Sequence, residues 1–266
     1  MTTPVRTSGS TANDSPPSVS VIVAFYNSER HLAACIESLL AQEGVGGDFE
    51  ILLIDNRSTD SSAAIAASYP QPILLEEPTP GAYAARNAGI RRARAPLVAF
   101  TDADCVPDPN WLHSIRQGME DPEIGMLLGH CRYPADASLA LRLLGAYENA
   151  KTEYVIGRCP SQNQFAYANN MAVRSSVFDE VGLFEEWERA ADSELLHRMA
   201  VRRPDLRVRY VESMRVTHRE FVRARDRVAR LRLYTRTNAK IGSFRELSAA
   251  RRLWLLLRVL NPSSLG

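Results

Sequence analysis

The sequence predicts an α/β fold: a mostly parallel central sheet flanked by helices, followed by a helical C-terminal extension. Three observations carry the prediction. Short β-branched or apolar runs alternate with helical periodicities four times over about 110 residues, the pattern of strands joined by crossover helices. The runs are short and stop at turn-forming residues, as buried strands do. Three aspartates, Asp55, Asp102 and Asp104, stand at the ends of such runs, where open α/β sheets bind their ligands.

The first run, "SVSVIVAFYN" (Ser18 to Asn27), is a β-branched strand. Ser28 is placed to cap the helix after it, in which Leu32, Cys35, Ile36, Leu39 and Leu40 recur at helical spacing. "EILLID" (Glu50 to Asp55) is the second strand, and the polar string "DNRSTD" suits a turn that caps "SSAAIAASY". "PILLEE" is a third strand, "GAYAARNAGIRRAR" a helix and "PLVAFTDAD" a fourth strand. Asp108 then caps a helix that begins at Pro109, near a favoured first helical position. The second half is less regular. "EIGMLLGHCRY" and "FAYANNMAVRSS" read as strands, with a helix from about Leu139 to Tyr154 between them. "SSVFDEVGLF" is a short helix closed by Gly182, "ADSELLHRMAVR" an amphipathic helix and "VRYVESMRVTH" a strand. No internal repeat or linker divides residues 18–220, so they form one domain. Residues 1–17, rich in Ser, Thr and Pro, read as a disordered tail, and 221–266 as an Arg-rich helical extension.

A chain of 266 residues can bury a substantial core, and 45% hydrophobic with 24% charged residues is the composition of a soluble globular protein. A net charge of +1 supplies no global field for nucleic acid, although arginines crowd between Arg202 and Arg258. Cys35, Cys105, Cys131 and Cys159 show neither a CxxC pair nor zinc-ligand spacing. With no signal peptide, buried thiols in a reducing cytoplasm are the expectation. No apolar run reaches the ~18 residues of a membrane span, which leaves a cytoplasmic protein, at most peripheral at the membrane.

"TDADC" puts Asp102 and Asp104 one residue apart where an apolar run ends. Such a pair occurs in ordinary solvated turns, but its mutual repulsion is also what a bound cation relieves. Hard divalent ions take oxygen ligands, and Mg²⁺ is held by one or two carboxylates plus substrate phosphates. The ion then neutralises charge on a leaving nucleoside diphosphate. A base is needed elsewhere to deprotonate the incoming nucleophile, and Asp192 and Glu194 in "AADSELLHR" are candidates.

Taken in order, "VSVIVAFYN", "LLIDNRSTD", "GAYAARNAGI", "VAFTDADC", "NNMAVRSSVFDEVGLFEE" and "ADSELLHR" resemble the family 2 glycosyltransferases. The resemblance runs from about Ser18 to His218. It implies the GT-A fold and metal-dependent, inverting, hexosyltransferase-like transfer of sugar from a nucleoside-diphosphate sugar. Carried over residue by residue, it implies that Asp55 contacts the nucleotide base and Asp102 the ribose and metal. Asp104 is the metal-coordinating acid of the DxD motif, His218 lies close to the metal and diphosphate, and Arg86 approaches the nucleotide. Asp192 is the general base. The implied ion is Mg²⁺ or Mn²⁺. Three positions depart from the family pattern: Ala24 replaces a frequent Pro, Asn56 a frequent acid, and Ala191 the Glu of a Glu-Asp pair. Losing that neighbouring acid should leave the Asp192 pKa lower than a paired arrangement would.

Each residue also has a plain structural reading. Asp55 suits a cap, Asp192 a first-turn acid favoured by the helix dipole, and His218 a structural histidine. Asn169 to Met171, with Asn170 at its centre, is either a polar turn or an acceptor-side wall. Trp111 and Trp187 are core residues or sugar-stacking platforms, and Trp187, just ahead of the proposed base, is the better acceptor contact. Nucleotidyl transfer would call for a Gly-rich phosphate loop after the first strand, where "AFYNSER" has no glycine. A binding or scaffolding protein would show loss of the acids, which are all present. Nucleic-acid binding lacks an aromatic-basic motif. The expected partners are therefore a nucleoside-diphosphate sugar and an acceptor glycan, lipid-linked or small-molecule hydroxyl. In "RELSAARRLWLLLRVL" (Arg245 to Leu260), Leu247, Ala250, Trp254, Leu257 and Leu260 mark an apolar face beside Arg251, Arg252 and Arg258. Such a helix suits a membrane interface, packing on the domain, or a homodimer contact.

Overall fold

The computed structural model describes residues 16–46 and 48–220. The expected extension over 221–266, and all but the end of the expected tail over 1–17, lie outside the described residues. Strands β1 (Val19–Phe25), β2 (Phe49–Asp55), β3 (Ile73–Glu76) and β4 (Leu97–Asp102) build the first half of one sheet. They are joined by helices α1 (Leu32–Leu40), α2 (Ser62–Ala67) and α3 (Ala82–Arg92). The chain continues through β5 (Cys105–Pro107), α4 (Trp111–Gly118), β6 (Ile124–Arg132) and α5 (Leu139–Arg158). It then forms β7 (Asn170–Arg174), α6 (Ser175–Val181), α7 (Ala191–Arg202) and β8 (Arg207–His218).

The strand order is β3-β2-β1-β4-β7-β6-β8-β5. Pairs β2–β3, β1–β2, β1–β4 and β6–β8 run parallel, while β4–β7, β6–β7 and β5–β8 run antiparallel. The strand order reverses at β1: β2 lies on one side and β4, reached through two crossovers, on the other. That reversal opens a crevice at the carboxyl ends of β1, β2 and β4. Alternation along the strands feeds two cores. Val21, Val23, Ile51, Leu53 and Ala99 face α1 and α4, whereas Ile22, Leu52, Ile54, Val98 and Phe100 face α3, α6 and α7.

Several expected details differ, each for a tertiary reason. Helix α1 begins at Leu32, not beside Ser28, whose N–H instead takes the Ser62 Oγ at 2.7 Å. Helix α4 begins at Trp111, and the Asp108 carboxylate is drawn to Arg132 rather than to a helix end. Only the last part of "FAYANNMAVRSS" is strand, because Ala166 and Ala168 hydrogen-bond to α7 side chains instead of to a neighbouring strand. Helix α5 runs four residues beyond Tyr154 to Arg158, and it starts where Ser138 Oγ accepts from the Leu141 N–H at 3.3 Å. Cys35 and Cys105 are buried as expected, but Cys131 and Cys159 are half-buried.

Asn170 is fully buried, with its Oδ1 2.9 Å from the indole nitrogen of Trp111. Its amide donates to the carbonyls of Met214 at 2.9 Å and His130 at 3.1 Å. These carbonyls border the register shift between β6 and β8, so one carboxamide closes a gap that the ladder leaves open. A Cβ at Gly129 would collide with this amide. Asn170→Ala leaves three buried polar groups without these partners and should lower the unfolding free energy by roughly 2–5 kcal/mol. Urea denaturation of the full chain checks this, and a loss under about 1 kcal/mol would deny the staple its role.

Candidate active site

The crevice is built from the ends of strands and the starts of helices. Asp55 and Asp102 flank the end of β1, in register with Phe25 and Ala24. The buried Asp55 accepts from the Ser58 N–H at 2.9 Å within the turn and does not cap α2, whose first turn follows Ser61 with no side-chain cap, so the expected cap is not formed. Next to it, Asn56 pins the loop before α3. Its amide reaches the carbonyls of Glu77 and Thr79, and its Oδ1 takes the Gly81 N–H at 2.8 Å. Gly81 sits at φ +132°, a backbone conformation that L side chains rarely adopt. Phe25, Tyr26, Asn56, Arg57, Pro80 and Gly81 help line the resulting cleft of about 540 Å³.

Arg86 reaches from α3 to Asp102, with Nη2 2.6 Å from Oδ1. The guanidinium lies 5.2 Å from the centroid of the Tyr83 ring and is almost fully buried, while the Asp102 carboxylate that it meets is about a third exposed. After β4 the chain turns through Asp104 into β5, and the end of β8 returns beside it. His218 pairs with Cys105 across β5 and β8, and its Nε2 is 3.8 Å from Asp104 Oδ2. Burial, with the Asp102 charge adding to it, pushes the Asp104 carboxyl well above the usual range. The ligand atoms of Asp104, Cys105 and His218 lie within 4.8 Å of one another. A carboxyl raised by burial and a like charge, next to an imidazole, fits a divalent cation. Burial also raises the Cys105 thiol well above its ordinary value, so without an ion it is protonated.

Asp192 enters from the opposite side, at the start of α7, after Ala190 in the left-handed region at φ +68°. Its Oδ2 accepts from the Ala168 N–H at 3.0 Å and its Oδ1 from the Ser193 N–H at 2.9 Å. Ser193 bonds both backbone groups of Ala166, and His197 Nε2 is 2.8 Å from the Gln164 carbonyl, which stitches α7 to the segment before β7. Burial raises the Asp192 pKa, against hydrogen bonds and the Arg86 charge that lower it. The other candidate, Glu194, is tied to Arg198 at 2.7 and 3.0 Å, and Arg198 in turn holds the carbonyls of Val181 and Leu183. Glu194 is thereby a loop anchor, and Asp192 is the acid facing Arg86.

The structure thus gathers Arg86, Asp102 and Asp192 into one electrostatic group, with Asp104 and His218 beside it. Trp187 is 38% exposed on the loop before α7 and is available to a ligand. Asn170 and Trp111 are not: both are fully buried and bonded to each other, so neither forms an acceptor-side wall or platform. Sequence reasoning passed over Tyr83 and Asn87, and noted Asn56 only as a departure from the family pattern. Asn87 exchanges two hydrogen bonds with the backbone of Phe184, at 2.9 and 3.1 Å, holding the loop that carries Trp187 against α3. The available signal was the Arg86-Asn87 pair inside a helical stretch otherwise rich in alanine.

The family model described as glycosyl transferase family 2 matches residues 20–182, more than half of the chain. The chain belongs to this family. Among curated relatives, the glycosyltransferase AglE of Haloferax volcanii is 30% identical over 175 residues, covering 63% of this chain and 56% of that protein. The succinoglycan biosynthesis protein ExoO of Rhizobium meliloti is 38% identical over 104 residues, covering 38% and 29%. The chain thus spans little more than half the length of AglE and less of ExoO. The mannosyltransferase PcManGT from Pyrobaculum calidifontis, solved with GDP-Man and Mn²⁺, superposes with a TM-score of 0.60 at 20% identity, covering 77% of this chain and 57% of that one. TarS of S. aureus, solved with UDP-GlcNAc, gives 0.59 at 18% identity, covering 92% and 72%. These likenesses establish the GT-A fold.

The raised Asp192 pKa sets a stability prediction with a definite sign. Between the ordinary Asp value and the raised one, the folded family 2 domain keeps a proton that the unfolded chain has lost. The contribution of Asp192 to stability therefore falls as pH rises through that window. Asp192→Asn removes this term, so its melting temperature relative to wild type should be higher at about pH 8 than at about pH 4. Paired thermal melts across that range test it, and a constant difference would show that the carboxyl is not raised.

Proposed function

We propose that this chain transfers a sugar from a nucleoside-diphosphate sugar to an acceptor hydroxyl, with inversion at the anomeric carbon. The observation that carries the reading is the convergence of Arg86–Asp102, Asp104–His218 and Asp192 on one crevice in a family 2 fold. Asp192 accepts the proton of the acceptor hydroxyl. The hydroxyl oxygen bonds to the anomeric carbon from the face opposite the nucleotide, and the bond from that carbon to the diphosphate oxygen breaks. Burial brings the Asp192 pKa upward, toward the operating pH, which favours a general base. Asp55 meets the nucleotide base at the cleft, Asp102 the ribose, and Arg86 holds Asp102 in place. Asp104 and His218 would hold Mg²⁺ or Mn²⁺, an ion that neutralises charge on the leaving diphosphate when bound. The exposed Trp187 offers an aromatic face to the acceptor.

A screen of nucleotide sugars, reading released nucleoside diphosphate with and without Mn²⁺, identifies the donor. Asp104→Ala should then lose metal-dependent nucleotide binding, and undiminished turnover in excess chelator would sink the metal assignment. Asp192→Asn keeps the shape but cannot take up the proton, so donor binding should survive while transfer falls by ~10²–10⁴-fold. Wild-type transfer in that variant would remove Asp192 from the role.

Among the described residues no helix is long and apolar enough to cross a membrane. The apolar face marked by Leu247, Trp254 and Leu257, with its flanking arginines, supports peripheral contact with anionic lipid near a lipid-linked acceptor. Full-length protein should co-float with anionic liposomes at low salt, and a chain ending before Arg245 should float less. Equal flotation of the two folded proteins would leave packing or homodimer formation for this segment.

A further inference from the structure

Helix α5 is apolar on both sides, and among the described residues only its inner side is covered. There Leu141, Gly145 and Ile156 are buried, with Tyr133 packed on Leu141 and Gly145. The outer side carries Leu139, Leu143, Ala146 with Tyr147, Ala150 and Tyr154. A recurrence every three or four residues makes these one stripe, about four turns long. Leu139 is 63% exposed and Leu143 61%, Ala146, Ala150 and Tyr154 are exposed, and Tyr147 is half-buried. Single exposed apolar residues are ordinary on a surface, but a continuous stripe marks an interaction face. A helix that is apolar all round belongs where both of its sides are buried. Along one edge of the stripe stand Arg142 and Glu153, both exposed and about three helical turns apart.

We propose that the outer side of α5 is a dimer interface, seated antiparallel on α5 of a second copy of this chain. The pattern of the stripe is complementary to itself. A twofold axis passing between Ala146 and Tyr147 sets Leu139 against the partner's Tyr154 and Leu143 against the partner's Ala150. Ala146 then meets the partner's Tyr147, so in the middle of the seam each larger side chain faces an alanine, as close packing requires. The same axis brings Arg142 beside the partner's Glu153, twice over by symmetry, whereas a parallel pair would set Arg142 against the partner's Arg142. The chain's own arginine-rich residues 221–266 fit less well, because Arg142, Lys151 and Arg158 on α5 would repel them. A contact confined to one stripe is small, so the dimer is reversible and depends on concentration.

Sedimentation equilibrium of the full chain from about 1 to 100 µM is the test. Wild type should pass from monomer to dimer across that range. Leu143→Glu puts a carboxylate from each copy into the seam and should weaken association at least ~10-fold. Arg142→Glu and Glu153→Arg each set like charges together and should weaken it by roughly 3–10-fold. Combining Arg142→Glu with Glu153→Arg restores opposite charges across the seam and should return association to within about twofold of wild type. All the substituted positions are exposed, and circular dichroism checks that the fold is kept. A wild type that is monomeric throughout overturns the inference and leaves this face to residues 221–266 or to lipid. A dimer indifferent to Leu143→Glu also overturns it, as does a double variant that associates no more tightly than the single ones.

Discussion

The Arg86–Asp102 ion pair is the interaction around which the rest of the site is arranged. Asp55, Asp102, Asp104 and Asp192 lie at or near the open end of one sheet, and a crevice holding so many carboxylates is unfavourable without compensation. Arg86 supplies a permanent positive charge between Asp102 and Asp192, in surroundings that screen it little. A guanidinium suits this position because it cannot lose its proton and presents several donors in one plane. Asp104 lies beyond its direct reach, and burial beside Asp102 raises its carboxyl. The arrangement leaves one acid compensated from within the protein and another that a diffusible cation would satisfy.

Three asparagines keep these groups in register across long sequence separations. Asn56 draws the loop before α3 onto the end of β2, Asn87 ties α3 to the backbone of Phe184, and Asn170 closes the gap between β6 and β8. Each uses both ends of its carboxamide, which a carboxylate cannot do because it only accepts. This gives a physical reason for Asn56 at a position where many family members have an acid. Two of its bonds are donated to carbonyls, and an acid there would leave those carbonyls unanswered. Ala191, where many members have glutamate, has a comparable consequence. With no acid beside it in sequence, the upward shift of Asp192 comes from burial first of all.

Much of the fold was legible because strand and helix signals are local. The β-branched runs ending at Asn27, Asp55 and Asp104 mark the first half of the sheet, and the apolar spacing of Leu32, Cys35, Ile36 and Leu39 marks the buried face of α1. Caps were less legible, since a cap residue chooses among competing partners. Ser28 was drawn to Ser62 and Asp108 to Arg132, partners 34 and 24 residues away. The NNM stretch left open a polar turn or an acceptor wall, and neither describes Asn170, whose three partners come from α4, β6 and β8.

The sequence by itself determined that a parallel α/β sheet would form and that its acids would collect at strand ends, because both follow from periodicity and turn chemistry within a few residues. The tertiary structure alone decided which acid faces the crevice. Asp192 and Glu194 are two positions apart on one helix, so the helical twist points them in different directions, and Arg198 one turn later holds Glu194 away. It alone placed the Tyr83 ring between Arg86 and Phe184. That placement depends on Phe184, about a hundred residues further along the chain, which no local pattern brings to α3.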